Sequence, residues 1–277
     1  TGGASVGQGF ETVMAQICAD ALGCDYRRVQ VVHGRTDRID YGIGAHASRA
    51  TVVTGNAVNL TALKLREKAL AAAAELLQAP ISTLDISGGV VYRDDAGSDP
   101  SISLGDIARS LEPGLAAEER FHTDHQTYPY GSHIAVVVVD RETGGVTLER
   151  FLVAYDIGRA INPMLVEGQI AGGVAQGMGG ALLEEFVYDD RGQPLAASLA
   201  DYLLPGIHET PTVELLLAED SPSRRNPMGI KGAGEAGVTG VGAAIASAID
   251  DAIGIPGAIT RLPVTPQRLM DILNSRQ

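Results

Sequence analysis

The chain contains no tryptophan, four phenylalanines and two cysteines. With aromatics at 4% and hydrophobic residues at 45%, its core has to be built mainly from Ala, Val, Leu and Ile. Cys18 and Cys24 lie in or beside one helical pattern, with no second pair to complete a zinc or iron–sulfur site. Buried reduced thiols are therefore expected, with a disulfide as the alternative. Positive charge is scarce as well: 21 Lys and Arg against 34 Asp and Glu leave a net charge of −13. That balance argues against a nucleic-acid partner or an anionic membrane surface. Any phosphate has to be held by backbone amides and a few local donors. No apolar run approaches the roughly 20 residues of a membrane-crossing helix, and no secretory leader is recognisable. A cytoplasmic protein without a membrane span is expected.

No repeat or low-complexity linker divides the 277 residues, so one domain over 1–277 is expected. The chain opens on TGGASVGQG without an initiator Met and reads like the end of a strand, which implies upstream sequence. Apolar spacing predicts a helix over 10–22, closed by Gly23, and then a short strand in RVQVVHG. A long Ala/Leu-rich helix is expected from about Arg49 to Gln78, stopped by Pro80. Residues 84–93 alternate around Gly88-Gly89 like a hairpin, and Ser103 is placed to cap a short helix over 103–111. HIAVVVVD and VTLERFLVAYD, separated by RETGG, form the clearest hairpin. A helix from Asn162 to Glu185 starts with Pro163 in its first turn. Strands are expected at Glu185–Tyr188 and Val213–Ala218, and a helix from Val241 to Ile253. Interleaved helices and strands set the class as α/β, mixed α+β.

Three glycine clusters, GASVGQGFET, YGIGAHASRAT and GGVAQGMGGA, stand where helices are expected to open. Any one alone could be ordinary turn chemistry. None fits a dinucleotide fingerprint or a P-loop. The first and third each place a Gln before a Gly, at Gln8-Gly9 and Gln176-Gly177. A primary amide donates and accepts without adding charge, which suits a heterocycle edge or a phosphate. His122 and His125 have a metal-like i, i+3 spacing but no further ligands nearby, so they read as structural or solvated. A fourth stretch, PMGIKGAGEAGVTGVG, sets Glu235 among six glycines at the approach to a helix. An acid in the first turn would simply complement the helix dipole. A glycine-rich approach also lets a bulky ligand come close to the backbone.

Taken together, VGQGFETVMAQICADALG, GIGAHASRATVVTGNAV, TYPYGSHIAVVVVDRETGGV, YDIGRAINPMLVEGQIAGGVAQGMGGALLEE and GIKGAGEAG resemble the molybdenum-binding large subunit of the xanthine dehydrogenase, aldehyde oxidase and carbon monoxide dehydrogenase family. The resemblance is to the C-terminal half of that subunit and runs from about Gly2 to Leu269. It implies a molybdopterin cofactor with molybdenum, in its cytosine dinucleotide form in bacterial members. Gln8 and Gly9 then belong to the first pterin-contacting loop. Ala47, Ser48, Arg49 and Thr51 belong to the loop around the dinucleotide and phosphate end, and Gln176 and Gly177 to a third. Lys231 and Gly232 are assigned to cofactor binding, and Glu235 to the catalytic carboxylate beside the molybdenum.

In that family a buried glutamate acts as general base while a small substrate is oxidised with water as the oxygen source. Glycine packing around Glu235 would bury it and raise its pKa, while a helix N-terminus would act the other way. No residue of this chain is implied as a direct metal ligand. The resemblance also implies partners: the N-terminal half of the large subunit, an iron–sulfur subunit and an FAD subunit that carry electrons away, and a dimer of the whole assembly. Three readings stay open. The chain is part of a hydroxylase of an aldehyde or N-heterocycle, part of a carbon monoxide dehydrogenase-like enzyme, or a non-catalytic relative used in assembly or cofactor storage. The SRAT loop in its GIGAHASR context leans toward the second, and Glu235 with both Gln-Gly pairs counts against the third.

Overall fold

The structure is a computed structural model that describes residues 1–42, 44–94 and 100–275. The chain divides into two compact units, one of Thr1–Thr127 with Ser223–Ile230, the other of Tyr128–Pro222 with the chain from Lys231 onward.

In the first unit, helix α1, Phe10–Leu22, buries Phe10, Val13, Met14 and Ile17 at helical spacing. The strand expected in RVQVVHG does not form. Asp25 caps a 3-10 turn over Tyr26–Arg28, and the chain then runs on without ladder pairing among the described residues. Thr1 N donates to the Val32 carbonyl at 2.8 Å. Residues 1–9 likewise contain no strand. The long helix enters through a π-turn, Thr51–Gly55, and continues as α2, Asn56–Leu77, ending on Gln78 in the left-handed region. Ala69 and Ala73 of α2 are completely buried, so small side chains let the helix pack closely.

Strands β1, Leu84–Ser87, and β2, Val90–Arg93, pair as the expected hairpin. A two-residue strand β3, Ile102–Ser103, adds to β2. Ser103 then caps helix α3, Leu104–Ser110, by accepting from the Asp106 amide at 3.1 Å.

The second unit holds a sheet in the order β4-β5-β6. Strands β4, Tyr130–Val139, and β5, Val146–Asp156, are antiparallel. Helix α4, Pro163–Leu182, connects β5 to the parallel strand β6, Val213–Ala218. Asn162 caps α4 by accepting from the Leu165 amide at 3.2 Å. α4 stops three residues short of the expected end because the Leu183 and Glu184 amides both turn back to the Gly179 carbonyl.

The strand expected at Glu185–Tyr188 is absent. A local turn uses that backbone, with Asp189 donating to Gln193 and Leu195 to Val187, and only an isolated bridge joins Tyr188 to Pro194. Helix α5, Val241–Ile253, forms as expected and buries Ile245 and Ile249. A further helix, α6, Pro266–Asn274, is not among the elements expected from periodicity, and Thr265 caps it. Phe151 and Val153 of the sheet, Ile170 and Val174 of α4, Ile245 of α5 and Leu269 of α6 share one core.

Candidate functional site

The first two glycine segments lie in the first unit. The Gln8 side chain accepts from the Val6 amide at 2.7 Å and donates to the Ala4 carbonyl at 3.1 Å, so its amide closes its own loop. Gly9 follows at φ 76 and caps α1. The second segment enters the long helix through Ala47 and Ser48, both at φ 52. Two consecutive left-handed side-chain residues cost about 1–3 kcal/mol each, and such strain collects where a loop has a ligand to meet. Arg49 is exposed, with no ion pair among the described residues, and Thr51 opens the π-turn. Fold contacts bring the two segments side by side. A Cβ built on Gly42 would lie 2.5 Å from the Gly2 carbonyl oxygen, and one on Gly3 would lie 3.1 Å from Thr54 Oγ1.

The third segment is not a loop at a helix opening. Gln176 and Gly177 lie in the interior of α4, and Gln176 is exposed. Glycines Gly173 and Gly177 serve close packing here. A Cβ on Gly173 would lie 2.9 Å from Gly237 Cα, and one on Gly177 would lie 2.6 Å from Val241 Cβ. The glycines of α4 therefore seat the GAGEAG stretch and the start of α5 directly on the helix.

Glu235 departs from expectation in its burial. It precedes α5, which begins at Val241 as expected and has no acid in its first turn. It lies in a run of turns over 234–240, where Ala236 donates to the Ala233 carbonyl at 3.1 Å and Thr239 Oγ1 to the Glu235 carbonyl at 2.6 Å. The burial expected from glycine packing falls on Gly232, Ala236 and Gly237, while Glu235 is exposed in this chain.

Lys231, four residues before Glu235, is 8% exposed. Its Nζ lies 2.8 Å from Asp156 Oδ1 and 4.4 Å from the centre of the Tyr130 ring. Asp156 Oδ1 also accepts from the Gly158 amide at 2.9 Å, and Oδ2 from the Ser221 amide at 3.0 Å. Burial alone would push the Asp156 carboxyl up, but the Lys231 bond, the two amides and the lysine charge outweigh it and hold it below the usual carboxylate range.

Sequence reasoning did not single out Asp156; its only local sign is a carboxylate at the end of the apolar run FLVAYD. Nor did it find the buried Asn56, which donates to Asn226 at 3.2 Å within the first unit and accepts from the Met228 amide at 3.2 Å.

Among the described residues, no group of three or more His, Cys, Asp and Glu is placed to hold a metal ion. His122 is exposed and bonded to Asp124. Cys18 and Cys24 are free thiols, each pushed up chiefly by burial. No helix among the described residues is long and apolar enough to cross a membrane.

The family described as "Molybdopterin cofactor-binding domain" matches residues 1–211. Gamma subunit of the 6-hydroxypseudooxynicotine dehydrogenase complex of Paenarthrobacter nicotinovorans is 44% identical over 97% of this chain and 35% of its own. The carbon monoxide dehydrogenase large chain of Hydrogenophaga pseudoflava is 37% identical over 89% of this chain and 31% of its own. Among solved structures, a Cu,Mo-CO dehydrogenase superposes with a TM-score of 0.89 at 32% identity, over 99% of this chain and 35% of that one. Quinoline 2-oxidoreductase from Pseudomonas putida 86 superposes with a TM-score of 0.88 at 34% identity, over 99% of this chain and 36% of that one. The chain thus spans about a third of the length of the curated relatives it matches. On these matches and on the fold they share, the chain belongs to the molybdopterin cofactor-binding family of molybdenum-binding large subunits.

Proposed function

We propose that this chain is the cofactor-binding part of a molybdenum hydroxylase that oxidises a small substrate, an aldehyde, N-heterocycle or carbon monoxide, with water as the oxygen source. The observation that carries this reading is Glu235, presented on a turn made of glycine and alanine and held against α4, in a chain of the molybdopterin-binding family.

The residues present suit such a group. With a net charge of −13, phosphate binding falls to backbone amides and local donors. The strained Ala47-Ser48 entry, Arg49 and Thr51 supply these at a helix N-terminus. Gly9 and the loop closed by Gln8, together with Gln176, Gly177 and Gly232, complete the assigned set, while the Lys231 side chain is engaged by Asp156.

When bound, the molybdenum cofactor supplies a two-electron acceptor for the substrate. Glu235 accepts, on a carboxylate oxygen, the proton of the water-derived nucleophile as that nucleophile attacks an electron-poor carbon. The cytosine dinucleotide form, iron–sulfur and FAD partners that take the electrons away, the remaining half of the large subunit, a dimer of the whole and a cytoplasmic location all belong to the same proposal.

The test is Glu235→Gln in the complete enzyme. Gln keeps the size and hydrogen bonding of Glu but takes up no proton. Molybdenum content and melting temperature should stay near wild type, while the rate of metal reduction by substrate falls by about two to four orders of magnitude. Near-normal reduction in this variant would remove Glu235 from the catalytic role and favour a binding or assembly function.

A further inference from the structure

We propose that the buried Lys231–Asp156 pair is the positioning device of the Glu235 turn, and that Lys231 acts on the reaction through that turn rather than as a ligand of the cofactor. The consequence for turnover rests on the catalytic reading of Glu235; the bracing geometry does not.

Lys231 has little left to offer an outside anion. Its side chain is 7% exposed, one donor is given to Asp156 at 2.8 Å, and its charge lies over the Tyr130 ring. The backbone of the same residue is engaged too, its amide donating to the Ile157 carbonyl at 2.9 Å. Side chain and main chain thus grip the end of β5 together. Asp156 in turn accepts from Gly158 and Ser221, so one carboxylate joins the end of β5, the turn after β6 and the entry to the Glu235 turn.

Beyond Glu235 the chain is fixed again. A Cβ on Gly237 would overlap the Ile170 carbonyl, and one on Gly173 would lie within 3.0 Å of Gly237 backbone atoms. Residues 232–236 are therefore bracketed, with a charge pair on one side and backbone-to-backbone contact on the other. Apolar contacts tolerate sliding. A buried carboxylate with three donors at fixed places admits one arrangement, because any shift leaves a charge or an amide unpaired. Glu235, on the exposed crest between the two anchors, inherits that precision.

The test uses the full-length subunit that contains this chain. Lys231→Met alone strands Asp156 as an unpaired buried charge and is expected to fold poorly. The informative variant is Lys231→Met with Asp156→Asn, which removes both charges, beside Lys231→Arg, which keeps both. Hydrogen exchange at the Ala236 and Val238 amides is read together with melting temperature, molybdenum and pterin content, and the rate of metal reduction by substrate.

The double variant should keep its cofactor, exchange at those two amides about tenfold faster or more while α5 is unchanged, and reduce its metal roughly 10²-fold more slowly. Lys231→Arg should recover most of both losses. Unchanged exchange in the double variant overturns the proposal, as does loss of pterin with exchange unchanged, which would make Lys231 a ligand. Faster exchange with normal turnover in both the double variant and Glu235→Gln upholds the brace and removes the catalytic role of Glu235.

Discussion

Gln8-Gly9 and Gln176-Gly177 are the same dipeptide put to opposite uses. In the first, the glutamine is spent locally: both ends of its amide bond the loop of residues 4–8. Its glycine supplies a left-handed cap at φ 76. In the second, the glutamine stands exposed in the middle of a helix, and the glycine makes room for Val241. A helix interior is an unfavourable place for glycine, at about 1 kcal/mol relative to alanine. The close approach of α4 to the chain at Gly237 and Val241 is what that penalty makes possible. One glycine is required by its own dihedral angle, the other by a neighbour more than sixty residues away.

The contrast can be broken most forcefully at the glycines. Gly177→Val drives a branched side chain into Val241 and should destabilise by about 3 kcal/mol, whereas Gly9→Ala carries the left-handed penalty of about 1 kcal/mol. Denaturant unfolding of both variants measures this. Equal losses would mean that Gly177 is not a packing residue.

The glutamines sharpen the comparison at smaller scale. Gln8→Ala removes two loop hydrogen bonds near the surface and should lower stability by about 1 kcal/mol. Gln176→Ala should stay within about 0.5 kcal/mol of wild type, since an exposed helical side chain is replaced by the best helix former. If Gln176 meets the cofactor as proposed, its variant loses pterin without losing stability. A thermal melt and a pterin assay on the same preparation separate the two effects, and a larger melting loss for Gln176→Ala than for Gln8→Ala would dissolve the contrast.

Local signals made a good part of this protein legible from its residues. Phe10–Leu22 and Val241–Ile253 form where apolar spacing and a following glycine place them. The Asn162-Pro163 start of α4 and the Ser103 cap of α3 act through their nearest neighbours alone. Both hairpins follow from alternation around a glycine turn. The family, too, could be read from five motifs in order, because a site assembled from loops leaves its residues in the chain whatever their distance in space.

Other features depended on partners remote in the chain. RVQVVHG has the composition of a strand, but a strand needs a neighbour, and no described strand pairs with it. GGVAQGMGGA reads as a loop until Gly237 and Val241 are set against it. Glu235 reads as buried by the glycines around it, yet it is exposed on the turns before Val241, and the packing encloses Gly232 and Gly237 instead. Lys231 is assigned to cofactor binding by resemblance, and only the fold brings Asp156, seventy-five residues earlier, to 2.8 Å from its Nζ. Residue type and spacing determine which groups are present and which local turns and helices form. Which of those groups is buried, paired or left facing outward was decided by tertiary packing, because burial and pairing are properties of neighbours that adjacency in the chain does not supply.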